Sequence, residues 1–391
     1  MGRAHPATVL IAVATALVVL VEGVFSSQSR LLTSVYPQPP MLPRAGVPAA
    51  HGALGERLPT GTGRIGTAPD SNRSPACTVG AKLVPTCGVL WGVAPGAHTV
   101  GSREQALRTF EVTTGRTQAI YHAYHSGTGE MFPTAAEIGV AREPGHPRLL
   151  LISWRPDTAS WAAIAKGNKQ VDAFLDRLAV HLRRDFPQQF FFAIHHEPEN
   201  EVNPKPGSGY TPADYRAMYR HVVTRLRAHG VRNMVTVMVF MAYPPYEIQS
   251  WWPALYPGND VVDWVGWDTY GYSRPKYGYG DFAELMNRTT RASTSWPGIY
   301  NWAVRQFPGK PFIVAEWGIW RSPADPLHPA YVFNTAQRQI QQFPRIKALC
   351  YFDTPNSVGK DSRVEASAAA LAAYRALGAL PIFQVRVSPL P

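Results

Sequence analysis

Short apolar runs recur along the chain from about residue 88, with amphipathic stretches between them. The runs cover 89–93, 119–123, 149–153, 190–195, 234–240, 261–266, 312–316 and 348–352. They are continuously apolar rather than alternating, which predicts strands buried on both faces, as in a parallel sheet. Between them, Val171, Phe174, Leu175, Leu178 and Leu182 form one helical stripe. Tyr215, Met218, Val222 and Leu226 form another, opened by Thr211 as N-cap with Pro212 at the first helical position. A further helix is predicted from near Tyr331, carrying Phe333, Ile340 and Phe343. Eight strand–helix units predict an α/β chain folded as a (β/α)8 TIM barrel, which takes ~250 residues plus insertions. A doubly wound open sheet is the runner-up, and it lacks a GxGxxG after the first strand.

The N-terminus departs from this rhythm. Arg3 and His5 precede an apolar run from Ala7 to Val21 that stops at Glu22. That pattern predicts a secretory signal over 1–26, cleaved near Ser26, or an uncleaved anchor that tethers the protein to a membrane. Residues 27–75 are rich in Pro, Gly, Ser and Arg without a sustained period, and are expected to be a linker to a catalytic domain over 76–385. The expected location is outside the cell or in the cell envelope. Export suits a disulfide between Cys77 and Cys87, ten residues apart. Cys350, within an apolar run, reads as a small buried hydrophobe.

Composition adds little to the fold and more to the class. Of 391 residues 45% are apolar, and 11 Trp, 17 Tyr and 16 Phe leave aromatic surface beyond a large core. The formal net charge of +11 comes from scattered Lys and Arg with no nucleic-acid motif, so a solvated basic surface is expected and no nucleic-acid partner. A monomer is expected.

The chemistry concentrates where apolar runs end. Glu197 closes the run that ends His195-His196-Glu197, and Glu316 closes Phe312-Ile313-Val314-Ala315-Glu316. A carboxylate at the C-terminal tip of a buried strand is costly to desolvate, so a pair of them suggests the acid/base and nucleophile of a glycoside hydrolase. The plainer alternative is two salt-bridged carboxylates at a barrel rim. The runs are the fourth and seventh, which face each other across a barrel mouth. Glu199 competes with Glu197 for the acid/base role, but it follows Pro198 and is expected to turn into the loop. Asp268 and Tyr270 end the sixth run, Trp154 and Arg155 the third, and His122 lies at the end of the second with Tyr121, Tyr124 and His125. His196, Asp268, Tyr270, Trp317, Trp154, Arg155 and His122 are expected to bind substrate, Trp317 either as a sugar platform or as barrel packing. Trp251-Trp252 is expected to pack a loop against the barrel. No metal and no cofactor is expected, because there is no CxxC pair and adjacent histidines on a strand point to opposite faces. An esterase is disfavoured by the lack of GxSxG.

Four segments together resemble glycoside hydrolase family 26, a β-mannanase family with catalytic carboxylates on strands four and seven. They are Ile194-His195-His196-Glu197, the stretch 256–270, the stretch 310–318 and the stretch 346–353. The resemblance implies a retaining double displacement, with Glu197 as acid/base beside His196 and Glu316 as nucleophile beside Tyr270. It also implies a polysaccharide substrate: β-linked mannan first, then mixed-linkage glucan or β-1,3-xylan. Where many members carry a Trp-rich loop after the acid/base, this chain has Pro198-Glu199-Asn200-Glu201-Val202-Asn203. That departure motivates the alternative of a non-catalytic glycan-binding barrel.

Overall fold

The computed structural model describes residues 76–275, 278–355 and 360–388; the expected signal over 1–26 and linker over 27–75 lie outside the described residues. Eight parallel strands close into a barrel in chain order. They are β1 (Leu90–Pro95), β2 (Ile120–Ser126), β3 (Leu149–Arg155), β4 (Phe190–Ile194), β5 (Met234–Met241), β6 (Trp264–Tyr272), β7 (Phe312–Trp320) and β8 (Ile346–Asp353). The continuous apolar runs are explained by two cores on opposite faces of the sheet. Leu151, Phe191, Ala193, Val237, Ile313 and Cys350 fill the barrel interior, while Leu150, Phe192, Met238, Val314 and Leu349 pack outward under the helices.

The helices form where their local signals place them. Thr211 and Asp214 make a reciprocal capping box at the start of Pro212–Ala228. Helix Lys169–Arg184 buries the predicted stripe of Val171, Phe174, Leu175, Leu178 and Leu182. Burying each such side chain is worth about 1.5–3 kcal/mol. The helix predicted near Tyr331 is His328–Gln339; Phe333 is buried, but Tyr331 faces solvent and Ile340 falls in a 3-10 turn. No described helix is long and apolar enough to cross a membrane.

The N-terminal end of the barrel is floored by the chain's own edges. Cys77 and Cys87 are disulfide-bonded, and Leu83, Val84, Val385 and Val387 pack beneath the interior core. The Arg386 amide donates to the Cys77 carbonyl, and the Trp264 indole donates to the Lys82 carbonyl at 2.8 Å.

Two strands overrun their sequence-based limits furthest. β6 begins three residues later than expected and runs to Tyr272, and β7 continues past Glu316 to Trp320. The two keep pairing beyond the rim, from Asp268↔Glu316 to Tyr272↔Trp320. Glu316 and Asp268 are therefore mid-strand residues at the level of the mouth, not strand ends.

Candidate active site

Glu316 points inward because of one extra residue. In β7, Ile313 and Ala315 face the interior and Val314 packs outward, so strict alternation would send Glu316 out. The register against β6 shifts here: Trp267 pairs Val314, and the next pair is Asp268 with Glu316. Ala315 is the bulged residue, Glu316 comes to the Asp268 side, and Trp317 resumes the outward position. The Ala315 carbonyl then accepts from His122 Nδ1 at 3.2 Å.

A hydrogen-bonded column stands under Glu316. A carbonyl can only accept, so His122 Nδ1 carries the proton and Nε2 accepts from the Ser153 hydroxyl at 2.8 Å. Burial holds His122 well below its ordinary pKa, so the ring is neutral. The Tyr124 oxygen lies 3.2 Å from His122 Nδ1, and the Tyr124 hydroxyl donates to Glu316 Oε1 at 2.6 Å. Tyr270 donates to the other oxygen, Oε2, at 2.5 Å. Two phenols aimed at one carboxylate fix its orientation. Tyr270 is itself braced by stacking on Trp320, with ring centroids 4.9 Å apart.

The end of β4 is bent by two left-handed residues, His195 and Glu197, each with φ of 50°. Such conformations cost of order 1–3 kcal/mol apiece for non-glycine residues and persist only when the surroundings hold them. The surroundings here are specific. Trp161 donates to His195 Nδ1 at 3.2 Å, His195 Nε2 donates to Glu201 at 2.9 Å, and Arg155 pairs with the other Glu201 oxygen at 2.7 Å. Tyr215 donates to the Ile194 carbonyl at 3.1 Å. Burial would raise the Glu201 pKa, but His195 and Arg155 bring it below the ordinary value. The bend turns His195 into the helix layer and His196 to the mouth, where its Nε2 is 3.8 Å from Glu316. Burial lowers the His196 pKa against the pull of Glu316.

Glu197 is held by its backbone amide on Val239 and by the Asn200 side chain, which donates to Oε2 at 3.1 Å. Burial, then the charge of Glu316, pushes its pKa well above the ordinary carboxyl value. Asp268 is 2% exposed, and burial followed by Glu316 and Glu197 raises its pKa strongly, against the Glu316 backbone amide, which lowers it. His196, Asp268 and Glu316 are the one described group whose ligand atoms, all within 4.8 Å of one another, have cation-site spacing. Both Glu316 oxygens already accept from tyrosine hydroxyls.

Of the expected binding residues, His122, His196, Asp268 and Tyr270 meet around Glu316, and Arg155 stands at the lip on Glu201. Trp154 and Trp317 do not join them. Trp154 packs outward on Phe132, Phe174 and Phe192 and donates to the Gly127 carbonyl. Trp317 packs outward on Trp91, Phe282, Phe333 and Tyr351. Both sit on the helix-facing side of their strands. Glu199 is also buried, but away from the pair: it accepts from Trp252 Nε1 at 2.7 Å and from the Met241 amide at 3.2 Å, and burial pushes it up to about 7. Trp320 is the site residue the sequence left without a role, and Tyr124 entered only as one of the aromatics that end the second run. Tyr124 was readable, being two residues from His122 on one strand and so on the same face.

The family profile for glycosyl hydrolase family 26 matches residues 162–295. Endoglucanase H of Acetivibrio thermocellus is 25% identical over 286 residues, which is 71% of this chain and 29% of that protein. The β-1,3-xylanase TXYA of a Vibrio species is 26% identical over 195 residues, covering 47% of this chain and 38% of that protein. The chain thus spans well under half the length of these curated relatives. Among solved structures, the family 26 β-mannanase of Bacteroides ovatus superposes with a TM-score of 0.52 at 14% identity, over 77% of this chain and 90% of that one. A double mutant of the Cellulomonas fimi endo-β-1,4-mannanase gives 0.52 at 20% identity, over 77% and 75%. At these identities the likeness is one of fold.

Proposed function

We propose that this chain, which belongs to glycoside hydrolase family 26, is a retaining endo-β-glycosidase acting on a β-linked polysaccharide, with mannan-type chains first among its substrates. In the first step a Glu316 oxygen attacks the anomeric carbon, the bond to the leaving oxygen breaks, and Glu197 gives that oxygen its proton. In the second, Glu197 takes a proton from water, the resulting hydroxide attacks the same carbon, and the Glu316 ester bond breaks. Tyr124 and Tyr270 orient the attacking carboxylate, and Asp268 is a neutral neighbour that does not compete with it for charge. The observation that carries the reading is the contrast within the pair: Glu316 clasped by two phenols, Glu197 pushed towards its protonated form. A second reading keeps the chemistry and changes the sugar: the xylanase and endoglucanase relatives favour β-1,3-xylan or β-glucan.

The test is Glu316→Ala and Glu197→Ala on mannans, glucans and xylans. Each is expected to lose polysaccharide hydrolysis by about 10³-fold or more. Glu197→Ala should retain most of its rate on aryl glycosides whose leaving group needs no proton, and Glu316→Ala on none. Unchanged hydrolysis in either variant defeats the assignment. We further propose export of the chain, with 1–26 as signal or anchor, 27–75 as linker and 76–385 as the catalytic domain; the N-terminal sequence of the mature protein tests this.

A further inference from the structure

The wall beside Glu316 is aromatic, yet its rings are largely engaged. Tyr124, Tyr270, Tyr272, Trp320 and Phe352 pack together where β2, β6, β7 and β8 end. Tyr270 stacks on Trp320, and Phe352 meets Tyr270 and Trp320 edge-on at 5.7 and 6.0 Å. The Lys360 ammonium stands 5.1 Å from the Tyr272 ring and 5.7 Å from Trp320. A neutral sugar gains from a bare ring face; here an ammonium already stands by two of them.

Two more basic groups border the same wall. The His98 ring lies against Phe352 at 5.6 Å, and its backbone amide donates to Thr354 Oγ1 at 3.2 Å. Arg103 reaches over the Tyr124 ring at 5.9 Å and donates to the Tyr124 carbonyl at 3.0 Å. That carbonyl is its only hydrogen-bond partner among the described residues, which leaves most of the guanidinium's N–H donors for a ligand. Arg155, at the lip near β4, is by contrast paired with Glu201 at 2.7 Å. The charge of Glu316 reaches His98, whose pKa burial nonetheless lowers. An arginine fork and a lysine point charge on one wall match a carboxylate or sulfate group.

We propose that this wall is an anion-binding subsite: Arg103 and Lys360, with His98 beside them, take a uronate carboxylate or a sulfate ester carried by a sugar of the chain that is cleaved. The inference rests on the hydrolase reading above and narrows its substrate to an acidic β-glycan.

The experiment measures binding to the Glu316→Gln protein, which holds oligosaccharide without turning it over. The probes are a β-1,4-mannuronate hexasaccharide, the mannohexaose made by reducing its carboxyls, and a sulfated mannohexaose. At least one acidic probe is expected to bind about tenfold tighter than the neutral one, and which of the two does so identifies the charged group. Added salt should erase the preference. Arg103→Met and Lys360→Met should each reduce it, costing the acidic probe more than mannohexaose. Equal or tighter binding of mannohexaose, or a preference that survives the double variant, overturns the subsite. The two proposals fail separately. Absent hydrolysis of every polymer by the wild-type protein removes the hydrolase reading even if the preference holds, whereas hydrolysis with no preference removes the subsite alone.

Discussion

At the scale of the residue, the decisive event is the insertion of Ala315. Without that bulge Glu316 would lie on the helix side of β7, where Trp317 now packs. Apolar patterning cannot reveal it, because both faces of this strand are buried and alternation is silent. The same silence explains Trp154 and Trp317: a tryptophan at a strand end is compatible with either face until the register is known. Tyr270 is different, since its place on β6 two residues from Asp268 puts both on one face. Tyr270→Phe removes one phenol from Glu316 and should lower kcat by about 10–100-fold with the melting temperature little changed. Asn200→Ala removes a bond that stabilises the charged form of Glu197. The Glu197 pKa then rises further, so the alkaline limb of the kcat/KM profile, where the acid is lost, should move to higher pH. An unmoved limb would separate Asn200 from the acid/base.

At the scale of the element, the turn after β4 is tied down by Glu199, which bonds the loop to the Trp252 indole and to the end of β5. Sequence reading correctly turned Glu199 away from the mouth, but nothing local announced its burial, because its partners come from 42 and 53 residues along the chain. Its raised value makes a stability prediction with a definite sign. Below the ordinary carboxyl value both folded and unfolded states hold the proton. Between there and about 7 the unfolded chain has released it while the folded chain retains it, so folding stability falls as pH rises, levelling off above about 7. Glu199→Gln should flatten the loss of denaturant midpoint between about pH 5 and 7. An identical slope in the variant would assign that pH dependence to other buried carboxyls, such as Asp353, which burial pushes up to about 8. The limits of β6 and β7 were misjudged for a related reason. Their pairing beyond the rim is held by tertiary partners, and the polar and aromatic residues there read as loop.

At the scale of the molecule, the eight-fold alternation was legible because a closed parallel barrel buries both faces of every strand, and that demand is written into each apolar run. The rim position of the two glutamates and the Cys77–Cys87 bond were legible too; what was not is that both edges of the chain close the opposite end. The disulfide-bonded floor lies at the N-terminal ends of the strands, and the candidate chemistry at the other end. Closing a loop of this length is worth about 2–3 kcal/mol. Replacing Cys77 and Cys87 by serine should therefore lower the melting temperature while kcat/KM at 25 °C stays within about twofold, as expected for a change confined to the stability face of a barrel. A large loss of activity in the folded variant would show that floor and mouth are coupled.

The central claim is that Glu316 forms a bond to sugar. It is tested most directly by incubating the active protein with a 2-deoxy-2-fluoroglycosyl fluoride of the sugar it cleaves, which slows release of the intermediate, and reading the masses of the proteolytic peptides. A single glycosyl adduct on Glu316 is the predicted result. An adduct on Glu197 or Glu199, or complete absence of adduct from a protein whose product forms with inverted anomeric configuration, would contradict it.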